Sequence, residues 1–178
     1  AANSSDAKAD ITLPDVFVLS VTHKLSDRIE LLGDVARTGW SSIPKVDVIR
    51  ASATLSGLQI GSIAQTLDTD FKDTWRFALG ANYKLNDEWM LKGGIAYDQT
   101  PVKGASTRLV SLPDNDRTWF SVGAQWKPSK TLTLDAGATY LYVKDASIDN
   151  NQGTVAAPLR GRVTGTYEDS AWIFGAQA

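Results

Sequence analysis

The stretch Trp75-Arg76-Phe77-Ala78-Leu79-Gly80-Ala81-Asn82-Tyr83 decides the fold. Its odd positions carry Trp, Phe, Leu, Ala and Tyr, and its even positions carry Arg, Ala, Gly and Asn. A period of two is the mark of a strand, because successive side chains leave a pleated backbone on opposite sides. After the short turn Asn86-Asp87-Glu88 the split returns, with Trp89, Leu91, Gly93, Ile95 and Tyr97 set against Met90, Lys92, Gly94, Ala96 and Asp98. Phe120, Val122, Ala124 and Trp126 likewise oppose Trp119, Ser121, Gly123 and Gln125, before a turn at Pro128-Ser129-Lys130. Leu132, Leu134, Ala136, Ala138, Tyr140 and Tyr142 then oppose Thr133, Asp135, Gly137 and Thr139, and near the end Trp172, Phe174 and Ala176 oppose Ile173, Gly175 and Gln177.

Working toward the N-terminus, Asp15 to Lys24 reads as a strand that turns at Ser26-Asp27 into a longer one from Arg28 to about Ala53. The longer strand is expected to bend near Ser41 to Pro44, since Pro44 has no N–H for a ladder. Seven strands result. Short turns fall near residues 25–27, 85–87 and 127–130, and long connections near 55–70, 99–115 and 145–158. Short and long alternate, as in an up-and-down outer-membrane barrel with tight periplasmic turns and long extracellular loops. Trp75, Tyr83, Trp89, Tyr97, Trp126, Tyr140, Tyr142 and Trp172 lie toward strand ends on the apolar face, where amphipathic rings suit the two headgroup levels of a bilayer. The competing fold is a soluble barrel or sandwich with the greasy face as its core. Against it, the second face is mostly Gly, Ala, Ser, Thr, Asn and Gln with few charges, which resembles the lining of a lumen more than a soluble surface.

Composition agrees. The 178 residues hold 18 Lys+Arg against 20 Asp+Glu, so no basic surplus exists to follow a nucleic-acid backbone. Cysteine is absent, which excludes a disulfide scaffold, a thiolate zinc site and a thiol nucleophile. Mean hydropathy is −0.18, and no apolar run approaches the roughly 18 to 20 residues of a membrane helix. Barrel strands escape that criterion because they alternate. The first residues, Ala1 to Lys8, lack the basic start and apolar stretch of a secretion signal.

Several runs resemble the FadL family of outer-membrane transporters for long-chain fatty acids, whose relatives take up toluene-like aromatic hydrocarbons. They are Leu13-Pro14-Asp15, Phe71 to Gly80, Gly94 to Val102, Leu112 to Trp119 and Ala171 to Gly175, in an order that spans nearly the whole chain. The resemblance implies the C-terminal half of a fourteen-stranded barrel plugged by an N-terminal hatch. The expected fold is therefore all-β, an antiparallel up-and-down transmembrane β-barrel of which about seven strands form a partial, half barrel with two unpaired edges. An odd strand count agrees, since single-chain bacterial barrels have even numbers. Residues 1–12 are expected to end an extracellular loop, and 13–178 to form the C-terminal half of the barrel, cut before the aromatic residue on which such chains usually finish. The implied location is the bacterial outer membrane. The implied partners are hydrophobic small molecules, outer-membrane lipid and lipopolysaccharide, and the missing hatch and strands, with no nucleic acid, cofactor or metal.

An enzyme reading has little support: His23 is the only histidine, and no Ser/His/acid set or phosphate loop appears. The candidate site residues are the charges on the polar face, Glu30, Asp34, Arg76, Lys92, Asp98 and Asp135. A basic group facing lipid at the midplane costs on the order of 2 to 4 kcal/mol, so these must point inward. Their default role is mutual pairing and contact with a plug; the functional one is that a basic group holds a fatty-acid carboxylate while apolar residues surround the tail. The resemblance implies an interior polar role for Asp98. It also implies a basic group just before Phe71, where this chain has Thr66-Leu67-Asp68-Thr69-Asp70; that departure favours aromatic hydrocarbons, unless Arg76, Lys92, Arg160 or Arg162 supplies the cation. The glycines at 80, 93, 94, 123, 137 and 175 either leave room in a lumen or serve curvature. In Leu112 to Arg117, Pro113 is expected to fix a turn and Asp116-Arg117 to pair across strands, or the rim gathers substrate. The leading function is passive uptake of hydrophobic compounds; the alternative is a structural or adhesive barrel without cargo, and a membrane-embedded lipid-modifying enzyme stands third.

Overall fold

A computed structural model of the chain describes residues 6–53, 57, 59–151 and 161–178. Among the described residues ten strands follow one another: β1 (Ala7–Lys8), β2 (Val16–Lys24), β3 (Ile29–Thr38), β4 (Lys45–Arg50), β5 (Ile63–Asp68), β6 (Thr74–Lys84), β7 (Trp89–Asp98), β8 (Arg117–Trp126), β9 (Leu134–Asn151) and β10 (Arg162–Gln177). Seven of them form one antiparallel sheet in the order β2-β3-β6-β7-β8-β9-β10, with β2 and β10 at its edges. The architecture is the expected partial barrel, an all-β sheet that does not close. The other three strands form a small sheet in the order β1-β4-β5.

Two of the short turns are built alike from sequence. Leu25 N donates to Ile29 O and Leu85 N to Trp89 O, each at 2.9 Å. Inside the first turn the Ser26 hydroxyl accepts the amides of Arg28 and Ile29; inside the second the Asn86 carbonyl oxygen accepts those of Glu88 and Trp89. A side chain that satisfies its own turn in this way fixes the reversal and therefore the register of both strands.

Register sorts the alternating residues onto two faces. Leu79 lies opposite Ile95, which lies opposite Phe120, while Gly80 lies opposite Gly94, and Gly94 opposite Ser121. A single hollow touches Leu32, Ala78, Gly94, Trp119, Thr139 and Ile173, from six successive strands, and only a sheet curved toward that side permits this. The polar and small residues are thus concave and the greasy ones convex. Leu79, Val122 and Phe174 on the convex face are 69%, 68% and 75% exposed, the reverse of a soluble core. Strands β3, β6, β7 and β8 are 10 or 11 residues long, the length that crosses a bilayer at a barrel tilt. Trp89 stacks on Trp126 at the short-turn end, and Trp75 on Phe77 at the long-loop end. Tyr140 and Trp172, expected toward strand ends, instead meet at 5.0 Å well inside β9 and β10.

Three expectations need correction. The strand from Arg28 to about Ala53 is two strands in two sheets. Beyond Thr38, Gly39 N donates to Asp15 O, Asp73 accepts the Ser41 amide, and one 3-10 turn, Trp40–Ser42, carries the chain out of the large sheet. Pro44 marks the break, not a bend; Lys45 to Val48 still alternates beyond it, with the apolar residues shifted to even positions, and this strand-like pattern hid the change of partner. The connection near 55–70 contains β5, which pairs with β4. The connection near 145–158 begins later than expected, because β9 runs to Asn151 and β10 starts at Arg162. Between Val143 and Ala146 on β9 the pairing slips against Tyr167 and Asp169, a bulge beyond which Ala146, Ile148 and Asn150 turn inward and are buried.

Those residues cover loop 99–116, where Val102 and Leu109 are also buried. Among the described residues, most of the buried apolar side chains therefore lie at the long-loop end and not between the strands of the sheet.

Candidate functional site

The concave face carries two connected hollows. The first, of about 280 Å3, is lined by Leu32, Asp34, Arg76, Ala78, Ala96, Trp119 and Ile173. It shares Gly94, Ser121, Thr139 and Ile173 with a second, of about 610 Å3, that runs on over Gly123, Gly137 and Gly175 to Lys92, Asp135 and Gln177. Both glycine readings find a place. A Cβ at Gly123 would stand 3.1 Å from Ala136 O, one at Gly137 3.2 Å from Val122 O, and one at Gly94 3.2 Å from Leu79 O, so close backbone approach demands glycine there. At Gly175 a Cβ would meet nothing within 4 Å, and the glycine simply leaves space. Gly93 lies opposite Val122, on the convex side.

Five of the six candidate charges are satisfied by neighbours. The Asn82 amide donates to Glu30 at 2.8 Å, and the Ser20 hydroxyl donates to Asp34. Lys92 donates to Asp135 at 2.7 Å, and Gln125 donates to both oxygens of the same carboxylate at 3.1 Å. Asp98 is held by Arg117 at 3.1 Å, and Arg117 also reaches Asp114 at 3.6 Å. Arg76 differs. It stands opposite Asp98 in the register, yet among the described residues it makes no hydrogen bond and no ion pair. Asn82, Ser20 and Gln125 are partners that the sequence reading does not single out, although parity carries the signal, since each is a polar residue in phase with the concave face; Arg117 is expected to pair across strands and does so with Asp98. Of the other cations considered, Arg162 is bound by Asp149 at 2.6 and 2.7 Å in the extension of the β9–β10 hairpin, away from both hollows, and Arg160 lies outside the described residues. His23 is exposed on edge strand β2.

The long-loop rim is fastened by polar ties. Asp116 accepts the Thr100 amide at 3.0 Å and the Tyr97 hydroxyl at 2.7 Å, and Asp114 accepts the Thr100 hydroxyl at 2.6 Å. The cross-strand partner of Arg117 is Asp98, while Asp116 serves the loop. Burial pushes the Asp116 carboxyl up, but the Thr100 amide, the Tyr97 hydroxyl and the charges of Lys72 and Lys144 outweigh it and hold the carboxyl below its usual value. Arg108, 4% exposed, donates to the carbonyls of Asp114 and Ser147, and Asn150 donates to Arg108 O, so the loop is stapled to the inner side of β9.

This geometry, an apolar convex face banded by aromatic rings and a small-residue concave face edged with charges, has counterparts among known proteins. A long-chain fatty acid transport protein of Escherichia coli is 29% identical over 168 residues, which cover 93% of this chain and 34% of that one. A crystal structure of a Pseudomonas aeruginosa FadL homologue superposes with a TM-score of 0.82 at 28% identity, covering 97% of this chain and 36% of that one. The CymD monoaromatic hydrocarbon channel shares the fold, with a TM-score of 0.56 at 21% identity over 78% of this chain and 33% of that one. The chain thus spans about a third of the length of these relatives. The family described as outer membrane protein transport protein (OMPP1/FadL/TodX) matches residues 1–178, the whole sequence. The chain belongs to that family, and its place is the bacterial outer membrane.

Proposed function

We propose that residues 13–178 form the C-terminal half of a transmembrane barrel that admits hydrophobic compounds passively, and that this chain supplies one wall of its lumen. Lys92 with Asp135 and Asp98 with Arg117 act as ion pairs, and Glu30 and Asp34 as hydrogen-bond acceptors of Asn82 and Ser20, which together keep that wall polar. Substrate enters at the long-loop, extracellular rim, follows the concave face and leaves through parts of the barrel beyond this chain, including a hatch. Outer-membrane lipid and lipopolysaccharide contact the convex face. No bond of the cargo is made or broken.

One observation carries the reading: a hollow lined mostly by small and apolar residues, with Asp34 and Arg76 among them, crosses six strands on the face turned away from lipid. A structural or adhesive barrel would fill that space with paired side chains. Fatty acids are the first cargo to test, since the Escherichia coli relative carries that name. Aromatic hydrocarbons are the second, because the segment Thr66 to Asp70 contains no basic residue. Cells expressing the complete gene around this sequence should accumulate labelled oleate or labelled toluene faster than cells lacking it. Equal accumulation of both compounds in the two strains would overturn the proposal.

A further inference from the structure

We propose that a groove on the convex face along β9 holds one acyl chain of an anionic phospholipid of the periplasmic leaflet, with its phosphate at the turn 127–130; this rests on the membrane-wall reading above. The register draws the groove. Ala136 and Ala138 form its floor, Ala124 and Val122 of β8 border one side, and Ala176 and Phe174 of β10 border the other. Val122 and Phe174 are exposed and stand proud of the alanines between them. At the short-turn end the groove opens into an apolar hollow of about 490 Å3, whose lining includes Trp89, Trp126 and Leu134 together with Ala124, Ala136 and Ala176. At its other end Tyr140 and Trp172 meet at 5.0 Å and close it, which gives a role to two rings that lie away from the strand ends.

Length selects the leaflet. From Leu134 to Tyr140 on β9, six residues at about 3.4 Å each give about 20 Å along the strand. At the tilt of roughly 40° usual for barrel strands this is about 15 Å of depth, half of a hydrocarbon core of about 30 Å. The groove therefore matches a chain of one leaflet, with its mouth at the periplasmic surface. Charge selects the headgroup. Lys127 and Lys130 of the turn between Trp126 and Leu134 are exposed, and neither side chain has a hydrogen bond or ion pair among the described residues. Asp135 feels the charge of Lys127 only at a distance and is itself held by Lys92 and Gln125. In the neighbouring turn Asp87 is bound by Lys84, which leaves Glu88, whose carbonyl accepts Lys127 N, against two lysines. A phosphate at this level gains a charge-assisted contact from each lysine, beside the stacked Trp89 and Trp126 that suit the interface. A zwitterionic headgroup brings its own cation and gains less.

The test measures lipid binding to the complete barrel in a mild detergent by native mass spectrometry, with dioleoyl phosphatidylglycerol and dioleoyl phosphatidylcholine as probes. The wild type is expected to bind phosphatidylglycerol about tenfold more tightly than phosphatidylcholine. Lys127→Gln combined with Lys130→Gln should bring the two lipids within about twofold by weakening phosphatidylglycerol alone. Lys24→Gln with Arg28→Gln, an equal loss of charge at another short turn, should keep the preference. Ala138→Leu, which fills the groove from its lipid-exposed side, should weaken both lipids about fivefold. Glycerol phosphate, a headgroup without a tail, should not compete. Equal binding of the two lipids by the wild type, a preference that survives loss of both turn lysines, unchanged affinity in Ala138→Leu, or competition by glycerol phosphate would each overturn the site. Failure of the wild type to take up labelled oleate or toluene would bring down the uptake reading alone, because the lipid contrast is read without cargo.

Discussion

Asp116 ties three segments of the rim through one residue: its carboxylate accepts Thr100 N and the Tyr97 hydroxyl, and its carbonyl accepts Lys144 N at 2.9 Å. Its pKa lies below the ordinary carboxylate value, so the folded form binds its proton less readily than the unfolded chain does. The sign follows. Its contribution to loop stability is complete above the unfolded value of about 3.9 and is lost as pH falls through the lower, folded value. Hydrogen exchange at the Thr100 amide should therefore show full protection at neutral pH and loss of protection only in strong acid. Asp116→Asn should weaken that protection at every pH. Protection that is indifferent both to acid and to the substitution would mean that the loop is held by Arg108 and Asn150 alone.

At the scale of elements, the hairpin of β8 and β9 depends on glycine facing glycine. Gly123 lies opposite Gly137, and a Cβ at either meets a backbone carbonyl at 3.1 or 3.2 Å, a tightness the strands relieve only by moving apart. Gly123→Val should lower stability by roughly 1 to 3 kcal/mol, read as a lower urea midpoint for refolded protein in detergent. Gly175→Ala, facing open space, should change it little. The strands themselves were legible in the sequence because period-two alternation and turn residues such as Asn86 act locally. The hidden part was non-local. Lys45 to Val48 alternates like a barrel strand, and its departure into the small sheet depends on contacts of Gly39 and Ser41 with Asp15 and Asp73, far away in sequence. The long β9–β10 hairpin was likewise masked by polar residues, since Asn150 is buried through a hydrogen bond to the Arg108 carbonyl and not through hydrophobicity. At the site, parity correctly placed all six charges on one face. It could not tell the five that are satisfied from Arg76, because that distinction lies in side-chain reach across strands.

At the scale of the molecule, the sheet has exchanged the usual places of polar and apolar residues. Its greasy side is exposed and its buried apolar cluster lies at one end, beneath the β9 extension, an arrangement that is stable only where lipid covers the convex face. The edges β2 and β10 carry open ladder positions that a wider barrel would pair. The chain contributes no native cysteine, which makes the two faces separately addressable. Single cysteines placed in the complete barrel at Leu79, Val122 and Phe174, and at the neighbouring Ala78, Ser121 and Thr139, can carry spin labels in lipid bilayers. The first three should be relaxed by oxygen dissolved in the membrane and the second three by a water-soluble nickel chelate, alternating residue by residue. Nickel access at Leu79, Val122 and Phe174 with oxygen access at their neighbours, or the same response at all six, would contradict a membrane wall whose concave face is the lumen.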